Sequence, residues 1–571
     1  MPPSRKPKQS LSQSKRDRDQ QRSSKKPSSS KKNFVPQTED DFLYVGSLEE
    51  EHGDRWVVGD PDKAHRFYLH ALELYDTCLS RFEKSFDAAY NKCRLEFHIY
   101  QLFYSRTILS TPFGNDQPSV SAITAAKRQD RVSVLSKILH DHEVALQLAL
   151  KHGAPDTQAG PPSDLLFNMA QVQLSIAEEQ YAAAPYRAAM ETFERTWVGQ
   201  EAELDKLRQD LANMTDDASS EAENGSQHGG EGQEQEEYAT VIEPTTYTSL
   251  LETATAQLAC LIPIYTISLS FSVNSKGPSE DAEQLARAGT VCMQRVATLI
   301  ANRQQLEIKE SEIRDSALIV ARYVLVSGYP FTDESCRPAA NLDRLTGMWT
   351  PVSEVESPSP LDFDIELLPA QGLTGPQSTS LREILSFMPL TSPRYLAQAD
   401  MFTQFGIIAG GDSDGDLAWR ALTLASQLLS TALSALLKET NPTAGAGNTA
   451  VVGASSLPST KLAQIRIWTT RGDVDILRSS LSQISSPADK NRTVLRKNAE
   501  IYYKNAMKLA AGLESDPEVV DAAGEAKVKC GLILADRDAI LSVPRWQEVV
   551  AEAIDDAVVS ESEVRDVLGE I

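Results

Sequence analysis

The chain has little with which to do chemistry. Its 571 residues include six cysteines and eight histidines, and neither set is arranged as a reaction centre. Cys78, Cys93, Cys260, Cys292, Cys336 and Cys530 are scattered singly, which excludes a zinc knuckle or a redox pair and suits small apolar residues in a reducing compartment. All eight histidines precede residue 229. His140 and His142 share no face with a cysteine, and the paired histidines of a metalloprotease helix are missing. His65, His70 and His98 fall among helix residues and read as core-edge side chains. Gly445, Gly447 and Gly453 lack the Lys-Ser or Lys-Thr ending of a phosphate loop. The stretch 410–416 has the acids of a calcium loop, but Leu417 and Thr423 stand where Gly and a bidentate Glu are needed. It is expected to be a turn, with Asp416 capping the helix that contains Trp419. Arg471-Gly472-Asp473 lies in a helix-rich stretch, which argues against an adhesion role.

Long apolar runs are also lacking. The longest candidate, residues 258–271, is short and interrupted by Pro263, so no membrane crossing is expected. The N-terminus has no apolar signal core, which argues against secretion. Aromatic residues make up only 7% of the chain, and no segment sustains the two-residue alternation of a half-buried strand. What remains is rich in Ala and Leu at helical spacing, so the fold class is all-α. No catalytic, cofactor-binding or metal residues are assigned, and a non-enzyme with no cofactor and no small-molecule substrate is expected.

The clearest helical signal lies between Gly53 and Asn91. Gly59-Asp60-Pro61 is turn chemistry: Gly59 can take a positive φ, Asp60 can cap a helix, and Pro61 can open it at its first position. Beyond the turn, Ala64, Phe67, Tyr68, Ala71, Leu72, Leu74, Tyr75, Cys78 and Leu79 recur three and four apart on one face. Small Ala64 and Ala71 admit a close helix neighbour, while Phe67 and Tyr68 fill the groove beside them. Trp56 closes an upstream helix that should pack antiparallel.

These residues resemble the tetratricopeptide repeat (TPR), a helix-turn-helix unit of about 34 residues. Gly59, Ala64, Tyr68 and Ala71 match its turn and packing positions. The usual first-helix glycine is displaced to Gly53, and Glu83 stands where a proline often ends the unit. Residues 87–91 and 163–170 look like first helices of further units, and 498–506 again alternates small and aromatic residues. Asn91 and Asn168 are more than two periods apart, so one unit is stretched. The resemblance implies a solenoid of antiparallel hairpins whose first helices line a concave face. It makes Asn91, Arg94, Gln101, Asn168, Gln171 and Gln173 the candidate partner-binding residues. Family members that grip chaperone C-termini use a Lys and an Asn where this chain has Glu49 and Gly53, so that clamp is not expected.

Charge divides the chain sharply. Residues 1–33 hold 11 Lys or Arg against two Asp, a net +9, which leaves −33 on the remaining residues to reach the total of −24. Lys15 and Arg16, followed by Lys25, Lys26, Lys31 and Lys32, look like a bipartite import signal for an importin. A nucleic-acid arm and a solubilising tail are the alternatives. Residues 215–238 form an acidic insert ending in Glu234, Glu236 and Glu237, which either gathers a basic partner or is a solvated loop. A Pro-rich loop at 329–379 and a flexible linker at 441–459 complete the divisions. They separate a disordered basic arm (1–38), TPR-like repeats (39–214), helical blocks at 239–328 and 380–440, and a C-terminal TPR-like block (460–571).

The expected function is a protein-binding adaptor or dedicated chaperone, nuclear or nucleocytoplasmic, holding a basic client such as a ribosomal protein or histone. A scaffold subunit of a larger complex is the alternative. An RNA-associated repeat protein is a third reading, and direct nucleic-acid binding is disfavoured by the negative body.

Overall fold

The computed structural model describes residues 35–57, 59–104, 120–152, 161–221, 245–271, 280–327, 364–366, 378–380, 383–384, 392–411, 414–440, 458–511, 513, 517–544 and 546–569. The import-signal residues Lys15, Arg16, Lys25, Lys26, Lys31 and Lys32, the acidic-insert residues Glu234, Glu236 and Glu237, and Cys336 lie outside them. Residues 1–107 with 131–257 form one compact unit, and 108–130 with 258–571 form a second.

In the first unit the helices are α1 (Glu39–Trp56), α2 (Pro61–Arg81), α3 (Phe86–Ile99), α4 (Val120–His152) from residue 131 onward, α5 (Ser163–Gln180), α6 (Ala183–Glu221) and the start of α7 (Tyr247–Phe271). Short polar signals set their ends. Thr38 and Asp41 close a reciprocal capping box on α1. The Asp60 side chain accepts from the Lys63 N–H at 3.0 Å with Pro61 just behind it, and the Ser85 hydroxyl accepts from Ala88 at the start of α3. Gly59 behaves differently from expectation. Its φ is not positive and a Cβ there would meet open space, so Asp60 and Pro61 make this turn without needing a glycine.

α1 and α2 run antiparallel, and so do α3 with α4 and α5 with α6. Ala64, Tyr68, Ala71 and Tyr75 are wholly buried in the first hairpin with Leu95 of α3. The next layers follow the same rule. Ala89 and Cys93 of α3 pack with Ala145 of α4 and Leu165 of α5, and Phe97 and Tyr100 pack with Leu135, Ile138, Val172 and Ile176. The stretched unit is the α3–α4 hairpin: α3 passes into a π-helical turn at Tyr100–Tyr104, and α4 runs for 33 residues.

Pro263 does not end its helix. α7, 25 residues long in all, runs on through it to Phe271, with Leu258, Cys260, Leu261 and Ile264 around it all buried. That packing offsets the ~3 kcal/mol that an interior proline costs.

In the second unit the rest of α7 is followed by α8 (Glu280–Ala301), α9 (Glu310–Ser327), α10 (Ser392–Gly411), α11 (Gly415–Thr440), α12 (Pro458–Ser480), α13 (Ser486–Ala510), α14 (Pro517–Leu534), α15 (Arg537–Leu541), α16 (Trp546–Asp555) and α17 (Glu561–Leu568). Asp414, not Asp416, caps α11, its carboxylate accepting from the Leu417 N–H. The Pro-rich loop contributes two three-residue strands, β1 (Asp364–Glu366) and β2 (Ser378–Ser380), paired antiparallel with Ile365 opposite Thr379. They are a small clip among described elements that are otherwise helical. α11 is long and apolar enough at Gly415–Lys438 to cross a membrane by length and composition. Its Ala418, Ala421, Leu422, Ala425, Leu429 and Ala432 are buried where it packs against α10 and α12, while 28% of the apolar stretch is buried in all.

The fold is therefore a TPR-like stack of antiparallel helical hairpins. On α2, α6 and α13 the alternation of small and aromatic buried residues is what lets neighbours approach; α4 packs without an aromatic.

Candidate functional face of the first hairpins

Two glycines in α1 sit directly beneath two tyrosines of α2. A Cβ on Gly46 would press into the Tyr75 ring, and one on Gly53 into the Tyr68 ring, each closer than 3.0 Å. Gly46 and Gly53 are seven apart, as are Tyr68 and Tyr75, so the same face of each helix meets twice. The rings cross the hairpin and reach carboxylates on its far side. Tyr75 Oη donates to Glu50 Oε1 at 2.6 Å, and Tyr68 Oη donates to Asp54 Oδ1 at 2.6 Å.

The third helix completes each contact with a base. Arg94 of α3 donates from Nη2 to Glu50, and His98 Nε2 lies 3.9 Å from Asp54 Oδ1. Arg94 and His98 are four apart, one helical turn, matching the spacing of Glu50 and Asp54. The result is two parallel rungs, Tyr75–Glu50–Arg94 and Tyr68–Asp54–His98, that tie α2, α1 and α3 together. A further link runs onward: Asn168 of α5 donates from Nδ2 to the Tyr90 hydroxyl of α3 at 3.1 Å.

The electrostatics make these rungs structural. Burial, and then the hydrogen bond and charge of Asp54, drive the Tyr68 phenol well above its ordinary pKa. Tyr75 is raised in the same way, with Glu50 adding to burial. Burial pushes His98 down, with Asp54 pulling it back. Each phenol therefore keeps its proton and donates it. Burial also raises the Cys78 and Cys93 thiols, which keeps them from acting as thiolate nucleophiles. Among the described residues no group of three or more His, Cys, Asp or Glu is placed to hold a metal ion.

The candidate partner-binding residues divide accordingly. Arg94, 32% exposed along its side chain, is held by Glu50. Asn168 is held against Tyr90. Asn91, Gln101, Gln171 and Gln173 are each half-buried on α3, its π turn and α5, and Gln173 Oε1 is buried with no hydrogen-bond partner. Sequence reading did not find Glu50, Asp54 or Gly46. Their signal was the seven-residue spacing of Gly46 and Gly53, legible only once the tyrosine spacing on α2 is laid against it.

One more polar cluster lies between α3 and α4. Glu96 and Asp141 face each other, with Lys137 Nζ 3.5 Å from Glu96 and Lys92 Nζ 3.6 Å from Asp141. Burial, then the hydrogen bond and charge of Asp141, raise the Glu96 pKa to about 7.

No family model matches the chain. It is 32% identical over 141 residues to UPF0656 protein C926.02 of Schizosaccharomyces pombe, covering 25% of this chain and 24% of that one. It is 26% identical over 155 residues to the uncharacterized protein YNL193W of Saccharomyces cerevisiae, covering 27% and 26%. The match thus spans about a quarter of the length of these curated relatives. Among solved structures, the crystal structure of the APC/C hetero-tetramer Cut9-Hcn1 aligns with 93% of this chain and 96% of its own, at 11% identity and a TM-score of 0.16. That score is too low to support any argument from the likeness.

Proposed function

We propose that the chain is a non-enzymatic protein-binding adaptor or dedicated chaperone that holds a strongly basic client, such as a ribosomal protein or a histone. The client lies along α1, α3 and α5, the first helices of the three hairpins. The observation that carries this reading is the charge of the first hairpin: α1 has seven acids against one arginine, and α1 with α2 sums to −6. The rungs engage only Glu50 and Asp54 of these seven acids, and Asp54 remains 45% exposed along its side chain; Glu51, 40% exposed, pairs with Arg55 of its own helix. Such a surface steers a cationic partner and shields its Lys and Arg from nucleic acid.

In this reading the basic arm delivers the protein to the nucleus by engaging an importin through Lys15, Arg16, Lys25, Lys26, Lys31 and Lys32. Glu234, Glu236 and Glu237 add anionic contacts to the client. The test is affinity purification from cells at low and high salt. Strongly basic proteins should be recovered at low salt and lost at high salt, and a recovered set without any such protein would overturn the reading. A scaffold subunit would differ in one respect, because the endogenous protein would then elute only within its complex. A reporter lacking residues 1–33 should leave the nucleus.

A further inference from the structure

The second unit contains a hairpin built on the same plan as the first. α2 reads Ala64-x-x-Phe67-Tyr68-x-x-Ala71, and α13 reads Ala499-x-x-Tyr502-Tyr503-x-x-Ala506. Tyr503 closes over Gly472 of α12 and donates to Asp473 at 2.7 Å, as Tyr68 closes over Gly53 and donates to Asp54. A third helix again supplies the base: Lys529 of α14 reaches Asp473 at 3.0 Å. The charge is reversed. α12 with α13 holds ten Lys or Arg against four acids, a net +6 where α1 with α2 is −6.

Part of that charge forms a line. On α13, Lys490, Val494, Lys497, Ile501, Lys504 and Lys508 follow one another at alternating steps of four and three. At 100° per residue these six fall within one narrow arc opposite the buried Leu495, Ala499, Tyr503 and Ala506. All six are exposed, with Val494 57% and Ile501 45% open. Lys504 pairs within its own helix with Glu500; Lys490, Lys497 and Lys508 make no ion pair among the described residues. The 4–3 spacing is that of a coiled-coil seam, with Val494, Ile501 and Lys508 at one position of the heptad and Lys490, Lys497 and Lys504 at the other.

We infer that this face of α13 docks an acidic amphipathic helix of a partner protein, one that sets Asp or Glu against the lysines and aliphatic side chains against Val494 and Ile501. Two other occupants fit less well. A second copy would place lysine against lysine, which charge repulsion opposes. A nucleic-acid backbone would satisfy the lysines but leave two aliphatic side chains in the middle of the contact unmatched. With an anionic face on one hairpin and this cationic seam on the other, the chain would join partners of opposite charge.

The probe is a synthetic helix repeating Ile at one heptad position and Glu at the other, titrated into the full-length chain by fluorescence anisotropy. Saturable binding is expected. Lys497→Glu with Lys504→Glu should weaken it about a hundredfold, at roughly tenfold per reversed contact, and a Lys-bearing version of the peptide should then bind the substituted chain. Val494→Ser with Ile501→Ser, which leaves every charge in place, should weaken the Glu peptide by about tenfold. Equal binding to parent and charge-reversed chains would overturn the inference. So would single-stranded RNA binding the parent more tightly than the peptide does and displacing it. A basic client on the first hairpin is measured separately and can fail without affecting either outcome.

Discussion

The hairpins α1–α2 and α12–α13 use the same lock in two different dielectric settings. In both, a glycine lies under a tyrosine, the tyrosine donates to the aspartate that follows the glycine, and a base arrives from the next helix. In the first, Asp54 is 45% exposed and His98 stands off at 3.9 Å. In the second, Lys529 is 4% exposed, 3.0 Å from Asp473 and 2.7 Å from Glu525. Burial opposes the Lys529 charge, but Asp473 and Glu525 outweigh it and raise its pKa. Burial likewise raises Asp473, with Lys529 pulling it back. Where water reaches the rung, the Asp54–His98 contact contributes little and the packing of ring on backbone does the holding. Where water is excluded, the charges become interdependent and neither can be removed alone.

The largest expected effect follows from that contrast. Lys529→Met should cost about 3–5 kcal/mol in urea unfolding because it strands Asp473 in the interior. His98→Ala in the first rung should cost no more than about 1 kcal/mol. Equal losses would erase the distinction between the two settings. Next in size, Gly53→Ala and Gly472→Ala should each cost about 1–3 kcal/mol by forcing a Cβ into the tyrosine ring. Gly59→Ala, on an open turn, should be almost silent in the same measurement. Tyr503→Phe should cost about 1.5–3 kcal/mol through the lost hydrogen bond to a buried carboxylate, and Tyr68→Phe about 0.5–1.5 kcal/mol where solvent can replace it.

The smallest effect concerns pH and sharpens the comparison within the first unit. Glu96 has a folded-state pKa raised to about 7. The protonated form is the one favoured by folding, so this contribution is complete below the ordinary glutamate range and is lost as pH rises through about 7. The facing groups are Asp141 and Lys137 of α4 with Lys92 of α3, and Lys92 also pairs with Asp76 of α2 at 2.9 Å. Glu96→Gln should remove this slope from a series of urea midpoints taken across neutral pH. A slope that persists unchanged would assign it to other groups.

Much of the helical plan was legible because it rests on local chemistry. Ala64, Tyr68 and Ala71 declare a close-packed helix face by spacing alone, and Asp60-Pro61 declares a helix start. The starts of α3 and α5 were likewise legible in residues 87–91 and 163–170. The failures share a different cause. Pro263 suggests a break because its cost is local, whereas the burial that overrides it is tertiary. The sequence points to Asp416 as the cap of α11, whereas Asp414, two residues earlier, holds that place. Arg471-Gly472-Asp473 was weighed only as an adhesion tripeptide, because Tyr503 and Lys529 stand 30 and 56 residues from Asp473. Nothing local announces that a glycine, an acid, a phenol and an amine so far apart will meet. The helices that carry the candidate residues, α3 and α5, were legible in the sequence. Which of their polar side chains are already engaged became clear only when Glu50 was found holding Arg94.

Tyr68 and Tyr75 are each held twice, by the backbone of Gly53 or Gly46 under the ring and by a carboxylate at the hydroxyl, and lifting a ring loosens both holds together. The first hairpin should therefore behave as a snap fastener, releasing at one threshold of force or denaturant. Below that threshold the hairpin should stay rigid.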